Sequence, residues 1–170
     1  ILLDEMKDDA TKITSLFPMS TLIIIITSLF NLLILSMVIN AFQSDILVLE
    51  IVSLAFLIGP MLFMPLRLIV SEKSLRIWRS IGKVEIQISD IKSCSVIEDS
   101  HSVFDKTIRI FGSGGSYGCL GVFRHDRLGK IRMFVTHIDQ CFLIQTKDGK
   151  LLVISSPKRN EIVDFISKKI

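Results

Sequence analysis

Two apolar stretches follow one another near the start of the chain, with only residues 43–45 between them. Thr21–Phe42 and Ile46–Pro65 each hold close to the roughly 20 residues that a helix needs to cross a bilayer core. A backbone inside lipid must satisfy its own hydrogen bonds, so both stretches are expected to be helical. The pattern therefore predicts a transmembrane helical hairpin over residues 19–65, preceded by an N-terminal segment, residues 1–18.

After residue 65 the hydrophobic pattern changes to short runs in which every second residue is apolar. In Lys83–Ile88 the apolar Val84, Ile86 and Ile88 alternate with polar residues, which is typical of a half-buried antiparallel strand. The pair Asp148-Gly149 predicts the tight turn of a β-hairpin. Further strand-like runs lie at residues 67–70, 75–79, 93–97, 107–111, 131–135, 141–145 and 151–154.

The last residues of the chain change to a helical period. Ile162, Phe165 and Ile166 recur at a spacing that puts them on one face of a helix, and Pro157 suits the first helical position. Seven or so strands followed by one amphipathic helix predict a small barrel or bent sheet that the helix plugs. The chain as a whole is expected to be an α+β membrane protein with one water-facing domain, residues 66–170.

The basic residues give the predicted hairpin a direction. Lys7 and Lys12 precede the first apolar stretch, Arg67 and Lys73 closely follow the second, and residues 43–45 include no Lys or Arg. Because basic residues near membrane helices stay on the cytoplasmic side, both termini are expected to be cytoplasmic. A second span follows the first stretch, which disfavours a cleaved signal peptide.

The densest basic segment holds Arg124, Arg127, Lys130 and Arg132. Beside an anionic inner leaflet each such charge gains on the order of 1 kcal/mol, so these four side chains are candidate contacts to anionic lipid headgroups. The alternative is a solvated hairpin tip in which Asp126 is the local counter-charge. Both interpretations stay open at the level of sequence.

A glycine-rich passage includes Gly112, Gly114 and Gly115. Glycines let successive backbone N–H groups surround an anion, which makes this passage a candidate anion-binding loop. It lacks the Gly-Lys-Ser/Thr ending of a nucleotide P-loop. We favour the other interpretation, a bulge or a tight crossing of strands that glycine permits.

The remaining polar residues indicate no catalytic, metal or cofactor site. Cys94, Cys119 and Cys141 are widely spaced and form no Cys-x-x-Cys pair, so buried reduced thiols are expected. His101 and His137 have no evident nucleophile or carboxylate partner. The basic segment is short and poor in aromatic residues, which argues against nucleic acid as a ligand. The sequence therefore favours a protein that is not an enzyme.

Several short motifs after residue 65 resemble one known family. The longest is Arg109–Gly115, which continues through Gly118, Gly121 and Phe123 to Thr136, and the others are Leu75–Trp78, Ile86–Lys92, Leu143–Gly149 and Ser155–Pro157. They resemble the bacterial pleckstrin-homology (PH)-like domains that follow two membrane helices. The resemblance covers most of residues 66–170. It implies a bent seven-stranded antiparallel barrel closed by the C-terminal helix, at the inner or plasma membrane of a bacterium, and little about activity.

Three hypotheses about function remain. The leading one is a membrane-anchored, non-enzymatic binding or scaffold module that recruits a protein partner through the barrel edge and the C-terminal helix. The second is self-association into a homo-oligomeric assembly. The third is the sensing of anionic lipid through the basic segment, residues 124–132. None of them requires a cofactor.

Overall fold

Two apolar helices pack against each other near the start of the chain. They are seen in a computed structural model that describes residues 13–43 and 47–170. Helix α1 spans Thr21–Gln43, and helix α2 spans Leu47–Phe63. The predicted connection between the two helices is residues 43–45, and its residues Ser44 and Asp45 lie outside the described residues.

The two predicted spans differ in length. Among the helices of residues 13–43 and 47–170, α1 is the one long and apolar enough to cross a membrane. Helix α2 is equally apolar in character but has 17 residues. It is shorter than predicted because Pro65 already belongs to the first strand after the helices.

The first sheet joins strands from both sides of the helices. Its four antiparallel strands, in the order β1-β2-β3-β4, are β1 (Ile13–Leu16), β2 (Pro65–Val70), β3 (Ser74–Arg79) and β4 (Lys83–Gln87). Strand β1 precedes α1 and pairs with β2, which follows α2, so that Ile13 lies opposite Val70 and Leu16 opposite Arg67. The described part of the N-terminal segment therefore adds a strand to the domain.

The second sheet has six strands in the order β5-β9-β10-β8-β7-β6. All its neighbouring strands are antiparallel except β8 and β10, which are parallel. The strands are β5 (Ile91–Val96), β6 (Thr107–Gly115), β7 (Gly118–His125), β8 (Gly129–Val135), β9 (Cys141–Thr146) and β10 (Leu151–Ser155). Helix α3 (Ser100–Asp105) lies between β5 and β6, and helix α4 (Arg159–Ser167) follows β10.

The prediction of a closed, seven-stranded, wholly antiparallel barrel was wrong. The described residues form ten strands in two sheets, and the end strands β4 and β6 do not pair with each other. The additional strands arise because β1 joins the first sheet and because the glycine passage continues as β6 and β7. The parallel pair arises because β9 lies beyond β10, so that β10 returns beside β8.

The main hydrophobic core lies between the two sheets and α4. Leu75, Phe142 and Ile154 are fully buried there, together with Ile162 and Ile166 from α4. The predicted C-terminal amphipathic helix is thus confirmed, although it begins at Arg159 rather than at Pro157. A second cluster covers the other face of the second sheet, where Met133 and Val153 pack near Phe104 of α3.

Candidate ligand site: a basic cleft between the two sheets

The gap between β4 and the second sheet forms a cleft of about 1350 Å³. Strand β4 lies on one side of it, and β6, β7 and β8 lie on the other. Both helices of the N-terminal pair also contribute to its wall. The basic side chains that line it are Arg79, Arg109, Lys130, Arg132, Lys147 and Lys150, and the acidic ones are Glu85, Asp90 and Asp148.

The alternation of strand β8 directs two basic side chains into the cleft. Lys130, Arg132 and Phe134 line it, while Ile131 and Met133, between them, are fully buried on the opposite face of the sheet. The guanidinium of Arg132 lies over the ring of Phe134, at 5.1 Å from the ring centroid. This contact fixes the guanidinium on the wall of the cleft.

Arg79 and Arg109 reach the same cleft from two other strands. Arg79 ends β3, where its backbone N–H donates to the carbonyl of Gly82 over 3.2 Å and closes the turn into β4. The Nε of Arg79 is buried and has no hydrogen-bond partner within the described ranges. Arg109 lies on β6, opposite Phe123 of β7. Three arginines from three strands therefore line one cleft.

These three arginines have no carboxylate partner in the part of the chain that the structure describes. Partial desolvation, followed by repulsion from Arg79, lowers the pKa of Arg132. A buried donor without a partner and two neighbouring like charges are both unfavourable, and an anion between them would relieve both.

Two of the three acidic side chains of the cleft, Glu85 and Asp148, form ion pairs with residues other than the three arginines. Glu85 accepts from the Nε of Arg76 over 3.0 Å, and this hydrogen bond is the main reason that the pKa of Glu85 is lowered. Asp148 lies 2.6 Å from the Nζ of Lys150. The carboxylate of Asp90, which lines the same cleft, accepts a long bond of 3.4 Å from Ser89. None of the three carboxylates is paired with an arginine that lines the cleft.

The structure divides the four basic residues singled out from the sequence. Lys130 and Arg132 line the cleft. Arg124 lies opposite Lys130 in the pairing of β7 with β8 but is not part of the wall, and Arg127 lies in the exposed turn beyond these strands. Arg79 and Arg109 were missed because they are distant in sequence from this segment, and β6 shows no alternation of burial around Arg109, since Ile108 and Ile110 are exposed as well.

The glycine passage forms the β6–β7 hairpin. Gly112 lies opposite Gly121, and Gly115 lies opposite Gly118. A methyl group on Gly112 would overlap the carbonyl oxygen of Leu120, and one on Gly121 would overlap that of Phe111. This close approach of two strands explains the glycines. Gly114 contacts side chains of the hairpin itself, and Gly115 faces Ile26 of α1.

The turn of this hairpin binds helix α1. The backbone N–H of Tyr117 donates to Oγ1 of Thr27 over 2.8 Å, and its hydroxyl donates to Oδ1 of Asn31 over 2.9 Å. Thr27 and Asn31 interrupt an otherwise apolar helix, and their partner is the β6–β7 turn. The same turn packs Gly115 against α1, so the hairpin lies along the first half of that helix.

The start of α1 and the end of α2 also form hydrogen bonds with the rest of the domain. At the start of α1, the backbone N–H of Ser20 donates to the carbonyl of Thr136 over 3.0 Å, and Oγ1 of Thr136 donates to the carbonyl of Pro18 over 2.9 Å. At the end of α2, Oγ of Ser80 donates to the carbonyl of Met61 over 3.0 Å. The helices are therefore joined to the domain by specific hydrogen bonds as well as by the chain.

Comparison with known proteins identifies the domain that carries the cleft. The family model of the bacterial PH domain matches residues 66–170. This chain belongs to the bacterial PH domain family. The comparisons with curated proteins and with solved structures found no match.

Two features of this PH domain account for the motifs that resembled the family. Thr136 and Ser155 form a buried pair in which the N–H of Thr136 donates to Oγ of Ser155 over 2.9 Å. Ser156 donates to Oγ of Ser15 over 2.8 Å, which fixes β1 to the end of β10. The glycines of Arg109–Gly115 permit the hairpin that contacts α1. In this chain the first motif contacts β1 and the second contacts α1.

Proposed function

We propose that this protein is a membrane-anchored, non-catalytic binding module whose PH domain takes an anionic ligand in the basic cleft. The observation that carries the proposal is that Arg79 and Arg132 lie close enough to repel each other in a cleft that Arg109 also lines, and that none of the three has a carboxylate partner among the described residues. A guanidinium donates two parallel hydrogen bonds to a phosphate or carboxylate, so three of them suit a phosphate group well.

The pairing of β1 with β2 supports the anchoring arrangement. These strands flank the helix pair in sequence and are neighbours in one sheet, so both ends of the pair belong on the same side of a membrane. Helix α1 has the length and composition of a span. With Lys7, Lys12 and Arg67 as flanking basic residues, the side is the cytoplasmic one. The cleft then opens close to the inner leaflet.

Binding of inorganic pyrophosphate to the detergent-purified full-length protein tests the proposal. The anion is expected to raise the melting temperature of the wild type, because a ligand that binds only the folded state stabilises it. The double variant Arg79→Gln/Arg132→Gln is expected to lose at least tenfold in affinity, since hydrogen bonds to charged groups contribute about 1.5–3 kcal/mol each.

Arg127→Gln is the matched control, because Arg127 is exposed and lies outside the cleft wall. It removes one arginine charge from the same domain and is expected to leave the affinity nearly unchanged. Equal losses in the control and the double variant would contradict the proposal, and so would the absence of any pyrophosphate binding by the wild type.

Recruitment of a protein partner is the second candidate function, and the exposed edge of β6 favours it. Ile108, Ile110 and Phe111 are 70%, 58% and 77% exposed on this end strand, whose free backbone groups can accept another strand. The apolar face of α4 is already used, because Ile162 and Ile166 are buried in the core. The strand edge is therefore a better contact surface than the C-terminal helix.

A photo-crosslinking amino acid at Ile108 tests this candidate in cells, with Leu128 as the exposed control position. A protein adduct at position 108 that is absent at position 128 would support recruitment. An adduct at twice the mass of the protein itself would indicate the homo-oligomeric assembly instead. Equal labelling at both positions would exclude a specific contact at β6.

A further inference from the structure

Acidic residues outnumber basic ones in the sequence that precedes β1. Residues 1–12, called the acidic segment below, lie outside the part of the chain that the structure describes. Four acidic against two basic residues give this segment a formal charge of −2, and the acidic residues are Asp4, Glu5, Asp8 and Asp9. Six basic against three acidic side chains give the wall of the cleft a formal charge of +3. The segment and the cleft are therefore opposite in charge.

The first sheet connects the end of the acidic segment with the cleft. Ile13, where β1 begins, lies opposite Val70 of β2, and Val70 lies opposite Leu75 of β3. Leu75 in turn lies opposite Ile86 of β4, and Ile86 lines the cleft. Neighbouring strands are about 4.8 Å apart, so the three steps from β1 to β4 span roughly 14 Å. The acidic segment thus joins the domain about 14 Å from the cleft wall.

The acidic residues are the right number of residues away from β1 to reach the cleft. An extended chain covers about 3.3 Å per residue, so Asp8, five residues before Ile13, reaches about 16 Å. Asp4 is nine residues before Ile13 and reaches about 30 Å. Arg79 ends β3, four residues beyond Leu75, so the path from Ile13 across the sheet and along β3 to Arg79 is roughly 27 Å. The first two acidic residues therefore have the reach for the arginines, and the last two have the reach for the nearer wall.

The cleft offers groups that a side-chain carboxylate would satisfy. The buried Nε of Arg79 has no hydrogen-bond partner within residues 13–43 and 47–170, and Arg79 lies close enough to Arg132 to repel it. A carboxylate between the two guanidinium groups accepts hydrogen bonds from both and removes the repulsion. Because the acidic segment belongs to the same chain, its effective concentration at the cleft is on the order of 1 mM, so weak contacts are sufficient.

We propose that the acidic segment occupies the basic cleft when no ligand is bound. The carboxylates of Asp4 and Glu5 then lie at Arg79 and Arg132, and the segment competes with the anionic ligand for the same groups. Binding of the ligand releases the segment. This inference rests on the proposed function and adds an autoinhibitory contact to the same site.

A photo-crosslinking amino acid at Met6, in the middle of the acidic residues, tests the contact directly. After irradiation of the detergent-purified full-length protein, peptide mass spectrometry is expected to find adducts with β4, with β8 or with the turn between β9 and β10, all of which line the cleft. An equal mixture of unlabelled and isotope-labelled protein shows whether the adduct forms within one chain. Adducts that join two chains, or adducts only at sites outside the cleft, would overturn the inference.

Removal of the four negative charges tests the competition. The variant Asp4→Asn/Glu5→Gln/Asp8→Asn/Asp9→Asn is expected to bind pyrophosphate about tenfold more tightly than the wild type, because a segment docked in about nine of ten molecules leaves only one in ten able to bind. The matched control removes four acidic charges at exposed positions outside the cleft wall, and it is Glu98→Gln/Asp105→Asn/Glu161→Gln/Asp164→Asn. Its affinity is expected to stay nearly unchanged. An equal gain in both variants would indicate a general effect of net charge and would overturn the inference.

The two measurements separate this inference from the proposed function. If the wild type and the variant of the acidic segment bind pyrophosphate equally well, and the crosslinker at Met6 forms no adduct with the cleft, the inference is overturned and the proposed function stands. If the crosslinker at Met6 forms the expected adduct but neither protein binds pyrophosphate, contact of the segment with the cleft is supported and the proposed function is overturned.

Discussion

The hydroxyl of Tyr117 donates a hydrogen bond of 2.9 Å to the side-chain oxygen of Asn31. These residues are 86 positions apart, and the bond joins the tip of a β-hairpin to the middle of an apolar helix. Tyr117 is buried and has a positive φ of 61°, a conformation that a bulky residue seldom adopts. The strain at this turn is therefore offset by contacts that the helix provides.

A double-mutant cycle measures that coupling. Tyr117→Phe and Asn31→Leu are each expected to lower the free energy of unfolding by about 1 kcal/mol, because each removes one partner of a hydrogen bond. The two changes together are expected to cost less than their sum, since the bond is lost only once. Thermal unfolding of the full-length protein in detergent gives the three values. Strict additivity would show that the bond does not form.

Replacement of Gly118 by alanine is expected to destabilise the protein far more than replacement of Gly129. Both have positive φ values, 108° and 75°, but a methyl group on Gly118 would overlap the carbonyl oxygen of Val135, whereas nothing lies within 4 Å of one on Gly129. Gly129→Ala should cost about 1–2 kcal/mol from backbone strain alone. Gly118→Ala should lower the free energy of unfolding by clearly more than Gly129→Ala does, and it should lower the yield of folded protein. Chemical unfolding monitored by the fluorescence of Trp78 compares them, and equal effects would contradict the hairpin geometry.

The buried thiols make stability depend on alkaline pH. Burial raises the pKa of Cys94 and of Cys141 from 9.0 to about 12. The stability that the buried, protonated thiols contribute to the folded protein is complete below pH 9.0. It is lost as the pH rises toward 12, because the unfolded chain releases these protons first. At pH 10 the loss is about 1 kcal/mol per thiol.

The double variant Cys94→Ala/Cys141→Ala provides the comparison for this pH dependence. Between pH 8 and pH 10 its free energy of unfolding should fall by less than that of the wild type. The difference is measured by urea unfolding at both values, because other groups that titrate in this range are common to both proteins. Identical losses of unfolding free energy in the wild type and the variant would show that burial does not raise the pKa of these thiols.

Labelling of introduced cysteines tests the proposed orientation of the helical hairpin in the membrane. Gln43→Cys at the exposed end of α1 is expected to react with a membrane-impermeant maleimide added outside intact bacterial cells. Ser89→Cys, exposed in the PH domain, should react only after the cells are opened. The native thiols give a low background because Cys141 is buried and Cys94 and Cys119 are largely so. Labelling of Ser89→Cys from outside would reverse the proposed orientation.

Local patterns predicted most of the individual elements. The alternation in Lys83–Ile88 predicted β4, and the spacing of Ile162 and Ile166 predicted α4, because burial of one face leaves its period in the sequence. The open sheets were not predicted. Strand β1 was missed because it is short and stands alone before the helices, and its pairing with β2 depends on the return of the chain through α2.

The β6–β7 hairpin shows a signal that was present but not used. Gly112 and Gly121, and likewise Gly115 and Gly118, are placed symmetrically about the turn at Ser116-Tyr117, as expected of residues that lie opposite each other in a hairpin. Glycine weakens a strand locally, so the passage was interpreted as a bulge or a tight crossing of strands and not as two full strands of a hairpin. The cleft was less accessible to prediction, because Arg79, Arg109 and Arg132 come to line one cleft only through the packing of two sheets.

The pairing of β1 with β2 has a consequence for how the protein is made. During synthesis β1 emerges before α1, and its partner appears only after α2 has left the ribosome. In the proposed anchored arrangement, failure of either helix to insert would leave the two strands on opposite sides of the membrane, and Ile13–Leu16 would have no neighbour. Completion of the first sheet would then act as a checkpoint for membrane integration. A misinserted chain would leave an apolar strand edge exposed, and cellular proteases can recognise and degrade such a chain.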